Sequence, residues 1–226
     1  MSGNDKLVQQ IFGWIGAALA TYFFMAPCVP FYKLVNEQIK TNEIPGILLF
    51  CSLMNCILWA DYGLLDNSVQ VYITNGLGVA ITLIWITTYL IYLGNQNVCF
   101  ALILIILLMI SVGGISFVFY FSIKKKTTGL IAMVFNVLMY AAPGEKIVRV
   151  CRNKQYNLIP IFSTIGGFFG SICWLIFGLI KVDINIIIPN ALGLFFAILQ
   201  IIVYIVFYRK KKNEDNFDIG DDDRLA

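Results

Sequence analysis

The sequence predicts an all-α integral membrane protein of seven transmembrane helices, arranged as two parallel three-helix bundles joined by a linker helix. Three observations carry that prediction. Of the 226 residues, 59% are hydrophobic and 13% charged, with a mean hydropathy of +0.82; an ordinary soluble domain carries about 25% charged residues. The apolar residues fall into seven stretches, 7–31, 44–65, 69–93, 98–123, 128–150, 158–180 and 184–208, each long enough for the ~20 residues that cross a hydrocarbon core. The landmarks of the first three stretches recur in the last three.

Span one follows a polar MSGNDK and is too long for the core of a signal peptide, so it reads as a retained helix. Pro27 falls near its end. Span two opens by Pro45 and carries Trp59; span three carries Asn75. Span four, VCFALILIILLMISVGGISFVFYF, has neither a charge nor an amide and suits a linker that faces lipid on most sides. Span five holds Pro143, span six opens by Pro160 and carries Trp174, and span seven carries Pro189 and Asn190. The expected divisions are therefore 1–95 for the first triplet, 96–126 for the linker, 127–212 for the second triplet, and 213–226 for an acidic tail without fixed structure. The six cysteines are scattered through and beside the spans, a distribution that fits packing rather than a disulfide framework.

The repeat is specific. TNGLG at 74–78 matches PNALG at 189–193, which puts Asn75 and Asn190 115 residues apart. WADYG at 59–63 matches WLIFG at 174–178, so each Trp stands 16 before its Asn. Pro45 and Pro160 each lie 14 before their Trp, and Pro27 and Pro143 a further 18 and 17 back. Tyr89 and Tyr204 each lie 14 beyond their Asn. Three spans would invert the second copy, and the intervening span four restores it. The copies are then parallel, related by an axis along the membrane normal.

Lys and Arg near span ends favour the cytoplasm. With the N-terminus outside, eleven of the sixteen fall on the inner side and five on the outer. The count predicts N-out and C-in, in the plasma membrane or an endomembrane. The run Lys124, Lys125, Lys126 opposes it.

An amide in hydrocarbon needs partners, because leaving it unpaired costs roughly 2–7 kcal/mol. Each Asn is about six residues into its helix, or ~9 Å at ~1.5 Å per residue, so the pair should sit at matching depth and face a shared axis. Two donors and an acceptor per amide suit a neutral, hydroxyl-rich ligand; interhelical hydrogen bonding is the other use of such residues. Trp59 and Trp174 are placed to stack on a sugar ring beside each Asn, or to join an aromatic belt. Pro189 denies the Asn185 carbonyl its helical partner. Pro27, Pro45, Pro143 and Pro160 cluster toward one side, as the joints of a gate would. The chain has no histidine, and Asp61, Glu145 and Asp183 lie near span ends. Intramembrane carboxylates mark proton or ion coupling, so passive transport is expected. No nucleophile–base set is available, and an enzyme is not expected.

In wording and order, MAPCVPFYKL, LWADYGLL, TNGLGVAI, LMYAAPGEKIVRVCRNK, IPIFSTIGGFFGSICWLIFGLI and VDINIIIPNALG resemble the SWEET family of sugar transporters, across essentially residues 7–208. The resemblance implies a bidirectional uniporter working by alternating access, with Asn75 and Asn190 binding sugar and Trp59 and Trp174 lining the pocket. It implies that Pro27, Pro143 and Pro160 match three inner gate prolines, and that Tyr62 and Asp183 match outer gate positions. Two residues depart from the pattern. Leu48 holds the usual place of the span-two proline, with Pro45 about one turn earlier, and Phe177 stands where Tyr is common. The partners expected are a neutral sugar, with hexose favoured, membrane lipid and further copies of the chain; no nucleic acid, cofactor or metal is expected. The alternatives are a Pro-Gln-loop amino-acid transporter of the same architecture, disfavoured by Pro27-Cys28 and Pro143-Gly144, and a seven-helix receptor, which needs no repeated triplet.

Overall fold

The computed structural model describes residues 3–94 and 125–225. The fourth apolar stretch, 98–123, lies outside the described residues. Among those described there are eight α-helices and no strand: α1 Gly3–Phe24, α2 Cys28–Val35, α3 Gly46–Leu65, α4 Val69–Gly94, α5 Lys125–Met139, α6 Ala141–Asn153, α7 Ile161–Lys181 and α8 Ile184–Leu225. They make six membrane-length spans, because α1 with α2 and α5 with α6 are each one span bent in the middle.

Both bends follow from proline. Pro27 has no N–H to continue α1, so Cys28 N–H closes a tight turn onto the Met25 carbonyl at 2.9 Å. The Phe24 carbonyl accepts instead from the Trp85 indole N–H, at 3.0 Å. In the second copy Tyr140 separates α5 from α6, with Pro143 in the first turn of α6. There the Gln200 amide donates to the Pro143 carbonyl at 3.4 Å. Trp85 and Gln200 are 115 residues apart, so one position in each copy clamps the bend with a different donor. Pro45 and Pro160 share another conformation, each directly preceding a helix with φ/ψ of −74°/81° and −75°/84°. Proline is tolerated at such a start because the missing N–H would have had no helical acceptor.

The helices form a ring. α4 packs between α1 and α3, and α8 packs between α5 and α7; α1 against α7 and α3 against α5 close the circle. Glycines on α1 and α5 make the closures tight. A Cβ on Gly13 would stand 2.9 Å from the Phe177 ring, and one on Gly129 would stand 2.6 Å from the Tyr62 ring. The outward surface is apolar, with Ile47 and Phe162 each 80% exposed, as a lipid-facing surface should be.

The short α3–α4 and α7–α8 turns reuse one geometry. Asn67 and Val182, 115 residues apart, both take left-handed backbone, at φ 52° and 58°. Asn tolerates that region, whereas a β-branched residue is strained there. Val182→Asn is therefore expected to stabilise the protein by ~1 kcal/mol, read as a raised thermal midpoint in detergent; a lowered midpoint would contradict it.

α8 is longer than expected. The 213–226 stretch, expected to lack fixed structure, continues the helix to Leu225. No proline follows Pro189, so no backbone donor is missing beyond it. Cys28, Cys51, Cys56, Cys151 and Cys173 are all free thiols.

Candidate functional site: a polar cavity between the halves

α1 begins at the N-terminal face of the bundle. α3 and α7 end there, and α4, α5 and α8 begin there. About two turns below it, between the two halves, lies a cavity that leaves about 100 Å³ for the centres of water-sized molecules. A single water needs ~10–15 Å³ of such space, so a larger polar solute can be held.

The four residues expected to bind ligand, Asn75, Asn190, Trp59 and Trp174, all line this one cavity. Each amide is held alike: Asn75 Nδ2 donates to the Val71 carbonyl and Asn190 Nδ2 to the Ile186 carbonyl, both at 2.8 Å. Those bonds fix the side-chain rotamers. They also leave each amide its oxygen and one N–H. Val71 and Ile186, one helical turn before each Asn, are themselves lining residues. The indoles are held by matching edge contacts, Trp59 to Tyr62 at 5.5 Å and Trp174 to Phe177 at 5.4 Å.

Three further polar residues line the cavity: Asn55, Thr74 and Asn136. They break the symmetry. The counterpart of Asn136 on the opposite wall is Ala20, also a lining residue, and the position 115 after Asn55 is Gly170. One wall is thus amide-rich and the other apolar. Asn55 was legible as an amide one helical turn before Trp59. Asn136 and Thr74 have no amide or hydroxyl counterpart in the other copy, so the repeat gives no sign of them. Asn55 Oδ1 and Trp59 Nε1 are buried without a hydrogen-bond partner. Buried polar groups are normally satisfied, and both atoms belong to lining residues, so a small rotation of either side chain would offer a polar ligand a hydrogen bond that the protein leaves unused.

Above the cavity the halves are shut. Leu58, Trp59, Tyr62, Val71, Ala132, Phe177 and Ile186 form one buried cluster. Within it the Tyr62 hydroxyl donates to Asp183 Oδ2 at 2.5 Å, and Asn185 Nδ2 reaches that hydroxyl at 3.4 Å. Asp183 also accepts from the Asn185 backbone N–H at 3.2 Å, which caps the start of α8. Phe177, in the place of a second Tyr, keeps the packing at 2% exposure without a hydroxyl. Asp66 pairs with both Lys125 and Lys181 and accepts from Ser68 at 2.7 Å. Burial alone would raise the Asp66 pKa, but hydrogen bonds from Lys125, Lys181 and Ser68 outweigh it and hold the carboxyl below its ordinary value. Asp66 thus stays ionised through mildly acidic pH, and its pairs weaken only as pH falls through that lowered pKa.

At the opposite face, Pro27 and Pro143 sit at the two bends, and Pro45 and Pro160 at the starts of α3 and α7. Tyr140 ties its bend to span seven by donating to the Pro189 carbonyl at 2.7 Å. This approach needs Gly193, where a Cβ would stand 2.5 Å from the Tyr140 hydroxyl; Gly78 does the same for Phe24 at 2.7 Å. That is what the last glycine of TNGLG and PNALG is for. Leu48 is 40% exposed. The landmark tyrosines pack away from the cavity, Tyr89 in the first half's buried cluster and Tyr204 edge-on to Tyr156 at 5.3 Å.

A family model described as "Sugar efflux transporter for intercellular exchange" matches residues 10–97 and again 126–212, more than half of the chain. The chain belongs to the SWEET family of sugar transporters. This SWEET protein is 27% identical over 96% of its length to the bidirectional sugar transporter SWEET7b of Oryza sativa subsp. japonica, covering 85% of that protein. It is 30% identical to the bidirectional sugar transporter SWEET8 of Arabidopsis thaliana, covering 93% of this chain and 92% of the relative. The solved structure of a eukaryotic SWEET transporter superposes with a TM-score of 0.81 at 22% identity, over 92% of this chain and all of that one; that likeness concerns the fold. With apolar membrane-length helices, this SWEET protein is an integral membrane protein.

Proposed function

We propose that this SWEET protein is a bidirectional facilitative sugar transporter that moves a hexose down its gradient by alternating access. The observation that carries the reading is the cavity between the halves, where Asn75, Asn190, Trp59 and Trp174 meet beside two unsatisfied polar atoms. Amides read hydroxyls, and indole faces pack on the C–H surface of a sugar ring. Two indoles in so small a hollow favour one ring over two. The names of its relatives support sugar as the cargo.

In this reading the N-terminal face is the outer one and the C-terminus is cytoplasmic. Residues 1–95 and 127–212 are the two rocking units, 96–126 the linker, and several copies associate in the membrane. Tyr62 and Asp183 close the outer gate. Pro27 and Pro143 supply bends that can flex at the inner gate, with Pro45 and Pro160 marking where α3 and α7 pivot. Trp85 keeps the Phe24 carbonyl satisfied while its bend moves, as backbone inside a membrane requires, and Gln200 ties span seven to the second bend.

Purified protein in sealed liposomes tests the proposal. Labelled glucose is expected to equilibrate faster than labelled sucrose, and an imposed pH gradient is expected to produce no uphill accumulation. Exclusion of both sugars would refute sugar transport, faster sucrose the hexose preference, and concentrative uptake the uniport mechanism.

A further inference from the structure

The Lys125–Asp66–Lys181 cluster is the feature that the binding site does not use. Asp66 is the first residue after α3, and Lys181 is the last residue of α7. They are 115 residues apart, the spacing of the repeat, so they are the same position in the two copies. A two-fold axis brings such a position face to face with its own counterpart. Identical charges there would repel; in this chain the copies carry opposite ones, and they meet. Lys125, from the start of α5, takes the other oxygen: Asp66 Oδ1 faces Lys125 and Oδ2 faces Lys181. The Asp66 side chain is 2% exposed, against 21% for Lys181 and 51% for Lys125. Lys125 belongs to the lysine run that opposed the charge count, and this pairing gives it a local use.

Both ion pairs leave the first half: Lys181 lies at the end of α7 in the second half, and Lys125 lies where the 96–126 linker runs into α5. α3 belongs to the first half, and α5 and α7 to the second. The N-terminal face cannot open to the cavity without drawing α3 away from them. Opening must then break both pairs and return a buried carboxylate to water.

We propose that Asp66, Lys125 and Lys181 form an ionic latch that holds the N-terminal mouth shut, beside the Tyr62–Asp183 contact, so that opening to that side is governed by charge and ionic strength. The latch rests on the alternating-access reading but not on the identity of the cargo. It biases the resting protein toward the state closed at this face, whatever sugar is carried. Salt is its natural lever. The screening length falls from ~10 Å at 0.1 M to ~3 Å at 1 M, and Lys125 is exposed enough to feel it.

The test is the rate at which a membrane-impermeant thiol reagent, applied from the side of the N-terminal face, labels a cavity cysteine. Thr74→Cys supplies that cysteine, and the parent protein supplies the background from the native thiols. Adding Asp66→Asn is expected to raise the rate about tenfold, the equivalent of ~1.4 kcal/mol in the closed–open balance. Going from 0.1 M to 1 M salt is expected to raise it severalfold with Asp66 present and hardly at all with Asp66→Asn. In a Lys125→Gln background, the exchange Asp66→Lys with Lys181→Asp is expected to return the labelling rate to that of Lys125→Gln alone. If Asp66→Asn does not reach the membrane, Lys181→Gln and the salt series without any latch substitution decide the same question. An unchanged rate in Asp66→Asn, or a parent rate indifferent to salt, overturns the latch. Sugar uptake by the parent protein, without Thr74→Cys, in matched vesicles separates the two readings. Uptake with unchanged labelling sinks the latch alone; no uptake and no labelling in any variant sinks the latch and alternating access together.

Discussion

Asn190→Ala and Asn75→Ala are each expected to lower the initial rate of sugar uptake by on the order of 30-fold. That factor corresponds to two lost hydrogen bonds to sugar hydroxyls at ~1 kcal/mol each. Each Asn is anchored by one bond to a carbonyl of its own helix, at 2.8 Å, and that carbonyl keeps its backbone partner when the side chain is removed. The fold therefore loses little. Surface amount should stay within about twofold of the parent, and the deficit should appear in transport. Because the copies are related by a two-fold, the two substitutions should cost similar amounts. The surroundings differ, however: Asn136 faces the cavity where the other wall has Ala20. Asn136→Ala should therefore also slow uptake, while Ala20→Gly should not. Uptake at the parent rate in either Asn190→Ala or Asn75→Ala, with normal surface amount, would remove these amides from the binding role.

Gly63→Ala is expected to cost about 3 kcal/mol of stability, the upper end for overpacking. At ~2–4 °C per kcal/mol for a chain of this size, the thermal midpoint in detergent falls by roughly 6–12 °C. A Cβ there would lie 2.5 Å from the Tyr72 backbone nitrogen and 2.9 Å from its Cα. Backbone cannot rotate away, so α4 must shift relative to α3, carrying Asn75 with it. Gly178 is the counterpart in the second copy, but its nearest neighbour is the Ile186 Cγ2, at 3.0 Å. A side chain can yield by a few tenths of an ångström, and Gly178→Ala should cost less than half as much. Equal midpoints for the two variants, followed by tryptophan fluorescence or by recovery from size exclusion after heating, would show that this contact does not set the helix spacing.

That contrast also separates what sequence can specify from what it cannot. WADYG and WLIFG are alike as strings, and both glycines do sit where two helices touch. Whether the neighbour is backbone or a movable side chain depends on how closely each hairpin closes, which no spacing records. Asn75 and Asn190 could be placed because helical rise and the 115-residue period together determine depth and facing. The same period concealed Asn136 and Thr74, which serve the cavity by differing from their counterparts. It also concealed the purpose of Asp66 and Lys181, which look like ordinary loop charges until the axis sets them opposite each other.

The sequence by itself determined that the chain lives in a membrane, where its spans lie, and that one set of landmarks is used twice. Those features depend on local chemistry: apolar run length, proline's missing donor and the regular turn of a helix. Tertiary structure alone decided that the two amides and two indoles enclose a single cavity with one amide-rich wall, and that the N-terminal face is the closed one. Those outcomes depend on distances between segments more than a hundred residues apart, and packing, not pattern, sets those distances.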